Sequence, residues 1–168
     1  MRKKHLNGKG FTLIELLAVI VILAVIILIA MPNVLTSMER ARKNTFATEV
    51  NSIIKAANFV YSDLASSGQS SGETCVPIQN LGSQKASGGT VLEGKNFLSK
   101  DLSKYSGYVY IGISTTSGSV TYKYSVSNGN YVASSPTEGT SSAEVDSGQV
   151  NSGTANGTCA TLGISTPW

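Results

Sequence analysis

Histidine is almost absent from this 168-residue chain: the one copy is His5. Everything after residue 10 lacks imidazole. That excludes a Ser-His-Asp triad, a Cys-His pair and any histidine-ligated metal from that part of the chain. Cysteine is nearly as scarce. Cys75 and Cys159 stand far apart and neither belongs to a CxxC pair, so zinc-binding and thioredoxin-like readings lack support. Cationic charge is scarce once its placement is considered. The formal charge is +3, but Arg2, Lys3, Lys4 and Lys9 all precede residue 11, and removing these four leaves −1 for residues 11–168. Nucleic-acid binding needs a cationic surface, so no specific nucleic-acid partner is expected. A membrane-tethered enzyme or binding module is left without a catalytic motif, a phosphate loop or a metal spacing. No enzyme activity, cofactor or metal is expected.

Glycine is missing from residues 11–67 although the chain has 17 of them, and Pro32 is the one proline in that stretch. This absence predicts a long helix over residues 11–65, ~80 Å by rise alone. The apolar residues in it are of two kinds. Residues 11–31, FTLIELLAVIVILAVIILIAM, are apolar except for Thr12 and Glu15. Their length suits one bilayer crossing at ~1.5 Å per residue. In residues 32–65 the apolar positions Phe46, Val50, Ile53, Ile54, Ala57, Val60, Tyr61 and Leu64 recur at spacings of three and four. That stripe must face a partner, and Glu39 and Lys43 form an i,i+4 pair away from it. Pro32 removes one backbone hydrogen bond and should kink the helix.

A secretory signal would place small residues after its apolar core, at a cleavage site. Here the apolar run leads through Pro32-Asn33 into more helix. A plain signal anchor explains the length but not Glu15. A carboxylate within a membrane span costs about 2–3 kcal/mol or more, so it needs a partner. No cation lies among residues 11–39. Cleavage before Phe11 would create one, an α-ammonium four residues from Glu15 and on the same helical face. An acid in the first turn also suits the positive end of the helix dipole.

The string Lys9-Gly10-Phe11-Thr12-Leu13-Ile14-Glu15-Leu16, after a short basic leader, resembles the processing and methylation motif of type IV prepilins. The resemblance is strong over residues 1–35 and architectural beyond. It implies a leader, residues 1–10, cut by a membrane prepilin peptidase between Gly10 and Phe11, with Phe11 then N-methylated. It makes Glu15 the carboxylate that guides assembly. It implies that the Pro32 region can loosen during packing, and that the partners are other copies of the chain in a helical filament and an assembly platform in the membrane. Positive charge before the span favours a cytoplasmic N-terminus, with the remainder outside. The implied product is the structural subunit of a type IV pilus, membrane-anchored before assembly and extracellular after it, serving adhesion, twitching motility or biofilm formation. The alternative within the superfamily is a pseudopilin of a secretion or competence system. Such proteins often hold calcium near the C-terminus, whereas only Glu138, Glu144 and Asp146 are acidic after residue 101.

The head, residues 66–168, is expected to open with a connecting loop over 66–95 and a short helix over 96–102. Val109, Ile111 and Ile113 alternate with Tyr108 and Tyr110; Val120, Tyr122, Tyr124 and Val126 alternate with Thr121, Lys123 and Ser125. With a turn at Asn128-Gly129 into Tyr131-Val132, these predict an antiparallel meander of at least three strands. Its apolar face is the natural partner of the helix stripe, giving an α+β fold in which a long N-terminal helix lies on an antiparallel sheet. The tyrosines are read as strand residues. Residues 134–168 are Ser-, Thr- and Gly-rich and could not order themselves alone. In an exported head Cys75 and Cys159 favour a disulfide over free thiols, closing a loop worth ~4–5 kcal/mol on the chain-entropy model. Many Gram-negative pilins pair two cysteines around a loop after the sheet. Cys75 precedes the expected strands, which points instead to a Gram-positive, clostridial-like major pilin.

Overall fold

The computed structural model describes residues 10–68, 72–81, 98, 101–114, 117–136 and 138–164. The chain divides into two units, Met1–Arg40 and Ala41–Trp168. Helix α1 runs from Leu13 to Ser66, with Pro32 inside it. It ends where helix-compatible sequence ends: Gly68 takes a left-handed φ of 72°, its N–H donates to the Ala65 carbonyl, and the Ser67 N–H donates to Asp63.

In the first unit every described residue is exposed. In the second, Phe46, Val50, Ile53, Ile54, Ala57, Val60 and Leu64 are buried as the stripe predicts, and Tyr61 is partly buried against the same core. The stripe packs on a five-stranded antiparallel sheet of order β1-β2-β3-β4-β5, made of Glu73–Pro77, Ser106–Ile113, Val120–Ser127, Tyr131–Ser134 and Val150–Ser152. Alternation decides which face each strand buries. Val109, Ile111, Tyr124 and Val126 meet the helix, while Tyr108, Tyr110, Thr121 and Lys123 take the opposite face. Each buried aliphatic side chain contributes about 1.5–3 kcal/mol of transfer free energy.

Polar clips fix the helix to the sheet unit. The Asn51 amide pairs with the Val145 backbone in both directions, Nδ2 donating to the carbonyl at 2.9 Å and Oδ1 accepting from the N–H at 2.8 Å. The Tyr122 hydroxyl donates to Asn58 Oδ1 at 3.2 Å, and the Tyr105 hydroxyl to Glu49 Oε2 at 2.6 Å. The Tyr124 hydroxyl is buried without a hydrogen-bond partner among the described residues.

Three expectations change. The stretch 66–95 is not wholly a loop: it contains β1 and a 3-10 turn over Ile78–Leu81. Five residues are too few to show a period. Pairing with β2 and burial of Thr74, Cys75 and Val76 make them a strand. The expected helix over 96–102 falls largely outside the described residues, and Asp101 and Leu102 within it are not helical. The hairpin turn sits one residue later than Asn128-Gly129. Asn128 N–H donates to the Tyr131 carbonyl, leaving Gly129 and Asn130 as the central pair, while Asn128 Oδ1 accepts from the Asn130 and Tyr131 N–H groups. Gly129 supplies the positive φ, 88°, that this turn demands.

The polar C-terminal stretch is ordered over 138–164 by borrowed contacts. Val145 and Val150 enter the core. Residues 153–159 follow the outer face of the sheet, where Ser127 Oγ donates to the Gly153 carbonyl and the Asn156 N–H donates to Ser125 Oγ. A β-carbon at Gly107, φ 114°, would overlap the Ser125 carbonyl and crowd Ala155, so the strand must be bare there.

Candidate functional site

The start of α1 is built by two side chains that answer each other. The Thr12 N–H donates to Glu15 Oε2 at 2.9 Å, and the Thr12 hydroxyl reaches the same oxygen at 2.7 Å. In return Thr12 Oγ1 accepts from the Glu15 N–H at 3.3 Å. This is a capping box, which satisfies amide donors that no helical carbonyl can reach. The carboxylate that looked unpartnered in sequence is thus engaged by Thr12. Only Oε2 is used: Oε1 takes no hydrogen bond from a described residue. Thr12 is legible in the Thr-x-x-Glu spacing, a signal of a cap rather than of a counter-charge.

Phe11 is 89% exposed and Gly10 is exposed beside it. A β-carbon added to Gly10 would meet nothing within 4 Å, and its φ lies outside the left-handed range. Neither space nor backbone conformation within the described residues requires glycine there. Residues 1–9 of the leader lie outside the described residues. Beyond Glu15 the side chains from Leu16 to Met38 are exposed at every angle around the helix, Leu28 by 78% and Ile29 by 70%. The helix is long and apolar enough to cross a membrane. It continues through Pro32, and the Thr36 hydroxyl donates to the Pro32 carbonyl at 3.1 Å.

This arrangement matches a known sequence signature. The family model for the prokaryotic N-terminal methylation motif matches residues 6–31. The chain carries the methylation motif of type IV prepilins. It is also similar to the type IV wide pilus major component PilA4 of Thermus thermophilus, with 43% identity over 49 residues. That stretch is 29% of this chain and 37% of the relative. No solved structure matches the chain. The long helix on an antiparallel sheet is the α+β architecture of type IV pilins.

Away from the helix start, Cys75 and Cys159 are joined by a disulfide with Cα atoms 5.6 Å apart. Cys75 lies within the sheet, on edge strand β1 opposite Tyr110, rather than ahead of it. Cys159 opens the last 3-10 turn, Cys159–Leu162. The tyrosines belong to the sheet and its clips. Burial raises the phenol pKa of Tyr108, Tyr110 and Tyr124, with Glu73 adding to it at Tyr110 and Asp146 at Tyr124. Among the described residues no group of three or more His, Cys, Asp or Glu side chains is placed to hold a metal ion.

Proposed function

We propose that this chain is the structural subunit of a type IV pilus, held in its filament by α1 after removal of the leader. One observation carries the reading: a reciprocal Thr12–Glu15 cap opens a helix whose next twenty or so residues are apolar on all sides. A globular protein has no use for such a surface, because one sheet can cover only one side of it. Lipid before assembly and neighbouring helices after it would each cover the whole circumference.

In this reading a prepilin peptidase cuts between Gly10 and Phe11 and the new Phe11 amine is N-methylated. Glycine at the cut, which the chain's own conformation does not need, suits a peptidase that must reach the backbone. The new ammonium lies one residue from Thr12, whose hydrogen bonds hold Glu15 Oε2. Oε1 is then left to take the ammonium of the same chain or of a neighbour. An unpaired carboxylate among packed apolar helices is expensive, so this pairing selects axial register. The subunit waits in the membrane with its N-terminus cytoplasmic, and an assembly platform moves it into the extracellular filament. Adhesion, motility and biofilm formation would be properties of that filament as a whole.

The test is a mass spectrum of sheared surface filaments. An abundant chain beginning at N-methylated Phe11 is expected. Gly10→Val should retain the leader; a shortened mature product from that variant would refute the cleavage assignment.

A further inference from the structure

The outer face of the sheet, opposite the core, carries a hollow that the pilus reading leaves unused. Strand register sets its floor. Glu73 pairs with Gly112 and Gly112 with Thr121, while Tyr110 and Lys123 pair in the next row on the same face. A β-carbon at Gly112 would overlap the Tyr110 hydroxyl. The phenol therefore leans along β2 over the bare glycine instead of standing off the sheet. Two contacts hold it there. Its hydroxyl donates to Glu73 Oε2 at 3.1 Å, and the Lys123 ammonium lies 5.8 Å from its ring centroid. With Thr121 and Glu138, these residues line an open groove of ≈ 470 Å³. A second hollow of ≈ 280 Å³ shares Glu73, Tyr110 and Lys123 and reaches Leu162 and Gly163. All of these residues belong to the second unit.

Both far walls are fixed. Thr140, two residues after Glu138, bridges to Tyr122 through backbone hydrogen bonds of 2.7 and 2.8 Å. Leu162 closes the 3-10 turn that Cys159 opens, and Cys159 is bonded to Cys75. A ligand would meet a groove already shaped, so little ordering cost falls on binding. The larger hollow alone is within the range of about 300–1,000 Å³ usual for small-molecule sites.

The charges choose the ligand class. Glu73 and Glu138 supply two carboxylates and Lys123 one ammonium. An anion would face both carboxylates, and a cation would face Lys123 beside the ring. A neutral ligand rich in hydroxyls meets neither conflict. Its hydroxyls donate to Glu138 and accept from Lys123 and Thr121, and its C–H groups lie against the electron-rich face of the phenol. Two hollows sharing one ring suit more than one sugar unit.

We propose that this groove binds a neutral oligosaccharide, with one sugar stacked on Tyr110 and held by Glu138 and Lys123. The site lies wholly in the second unit and does not depend on the filament reading.

The experiment titrates the full chain in phosphocholine micelles, where no detergent sugar competes, and follows backbone amide NMR signals. The probes are chitotriose, cellotriose and maltotriose, with the cationic de-N-acetylated form of chitotriose and the anionic trigalacturonate as charged counterparts. At least one neutral trisaccharide should shift Tyr110, Gly112, Thr121 and Gly139 saturably, and each charged one should bind at least about tenfold more weakly. Tyr110→Ala should weaken binding at least about tenfold, and Tyr110→Phe, which keeps the ring, by less than about threefold. Glu138→Ala should weaken it by about threefold to tenfold. Unmoved Val50 and Tyr124 signals report an intact core. No saturable shift from any neutral probe, charged probes binding as well as neutral ones, or unchanged affinity in Tyr110→Ala would overturn the proposal. Should Tyr110→Ala disturb the core signals, Glu138→Ala decides in its place, and unchanged affinity there overturns it.

Discussion

The two halves of α1 are rich in the same residue types and have opposite fates. From Leu13 to Met38 the apolar side chains are exposed; from Phe46 to Leu64 the stripe is buried. The difference lies in angular distribution. In the second half most positions off the stripe are hydroxyl, amide or charged residues, with Phe59 an exposed apolar exception, and Thr45, Thr48 and Ser52 donate back to carbonyls four residues earlier, as solvent-facing helical hydroxyls do. One sheet satisfies that helix. From Leu16 to Met31 no angle is left polar, so no single face of the chain can satisfy it, and its partner must surround it. A stripe thus calls for an intramolecular partner, and a full apolar cylinder for lipid or several neighbours.

The contrast can be broken or sharpened by substitution. The largest effect is expected at the one charged point of the apolar half. Glu15→Ala should be processed normally yet be missing from sheared filaments, and normal piliation by that variant would end the assembly role. Next comes a matched pair, Ile54→Ala and Ile22→Ala, with unfolding of the head followed in detergent. The buried site should lose about 3 kcal/mol and the exposed one less than about 0.5 kcal/mol. Similar losses would mean that the two halves share one core. Asn51→Ala removes both hydrogen bonds to Val145 and strands its N–H and carbonyl, for a loss of about 2 kcal/mol. Faster amide exchange at Val145 would accompany it; an unchanged rate would show that the clip is not what orders that segment. The smallest effect belongs to Tyr124→Phe. Its hydroxyl has no partner among the described residues to lose, so stability should stay within about 0.5 kcal/mol or rise slightly. A loss above about 1 kcal/mol would reveal a hydrogen bond that the described residues do not supply.

The helix and the central strands were legible because their signals are periodic. The 3,4 spacing from Phe46 to Leu64 marked the buried stripe, and the alternation over 109–113 and 120–126 marked β2 and β3 with the correct face inward. What sequence could not display is order imposed from elsewhere. Strand β1 is a strand because β2 lies beside it, β5 has three residues, and Val145 is an isolated valine pinned by Asn51, 94 residues away. None of these has a period. At the helix start the reverse holds: Glu15 stands out by its charge and Thr12 does not, although the local cap is written in the spacing of the two residues.

The Cys75–Cys159 bond spans a sequence separation of 84 and has a mechanical consequence. A pull applied between α1 and the C-terminus passes from Cys75 to Cys159 through two sulfur atoms. The polypeptide between them, about 280 Å if drawn straight at ~3.4 Å per residue, stays slack. Strands β2 to β5 lie in that bypassed length. With the bond intact, rupture of the sheet cannot lengthen the molecule by that amount; with the bond reduced, the whole length becomes available to the load.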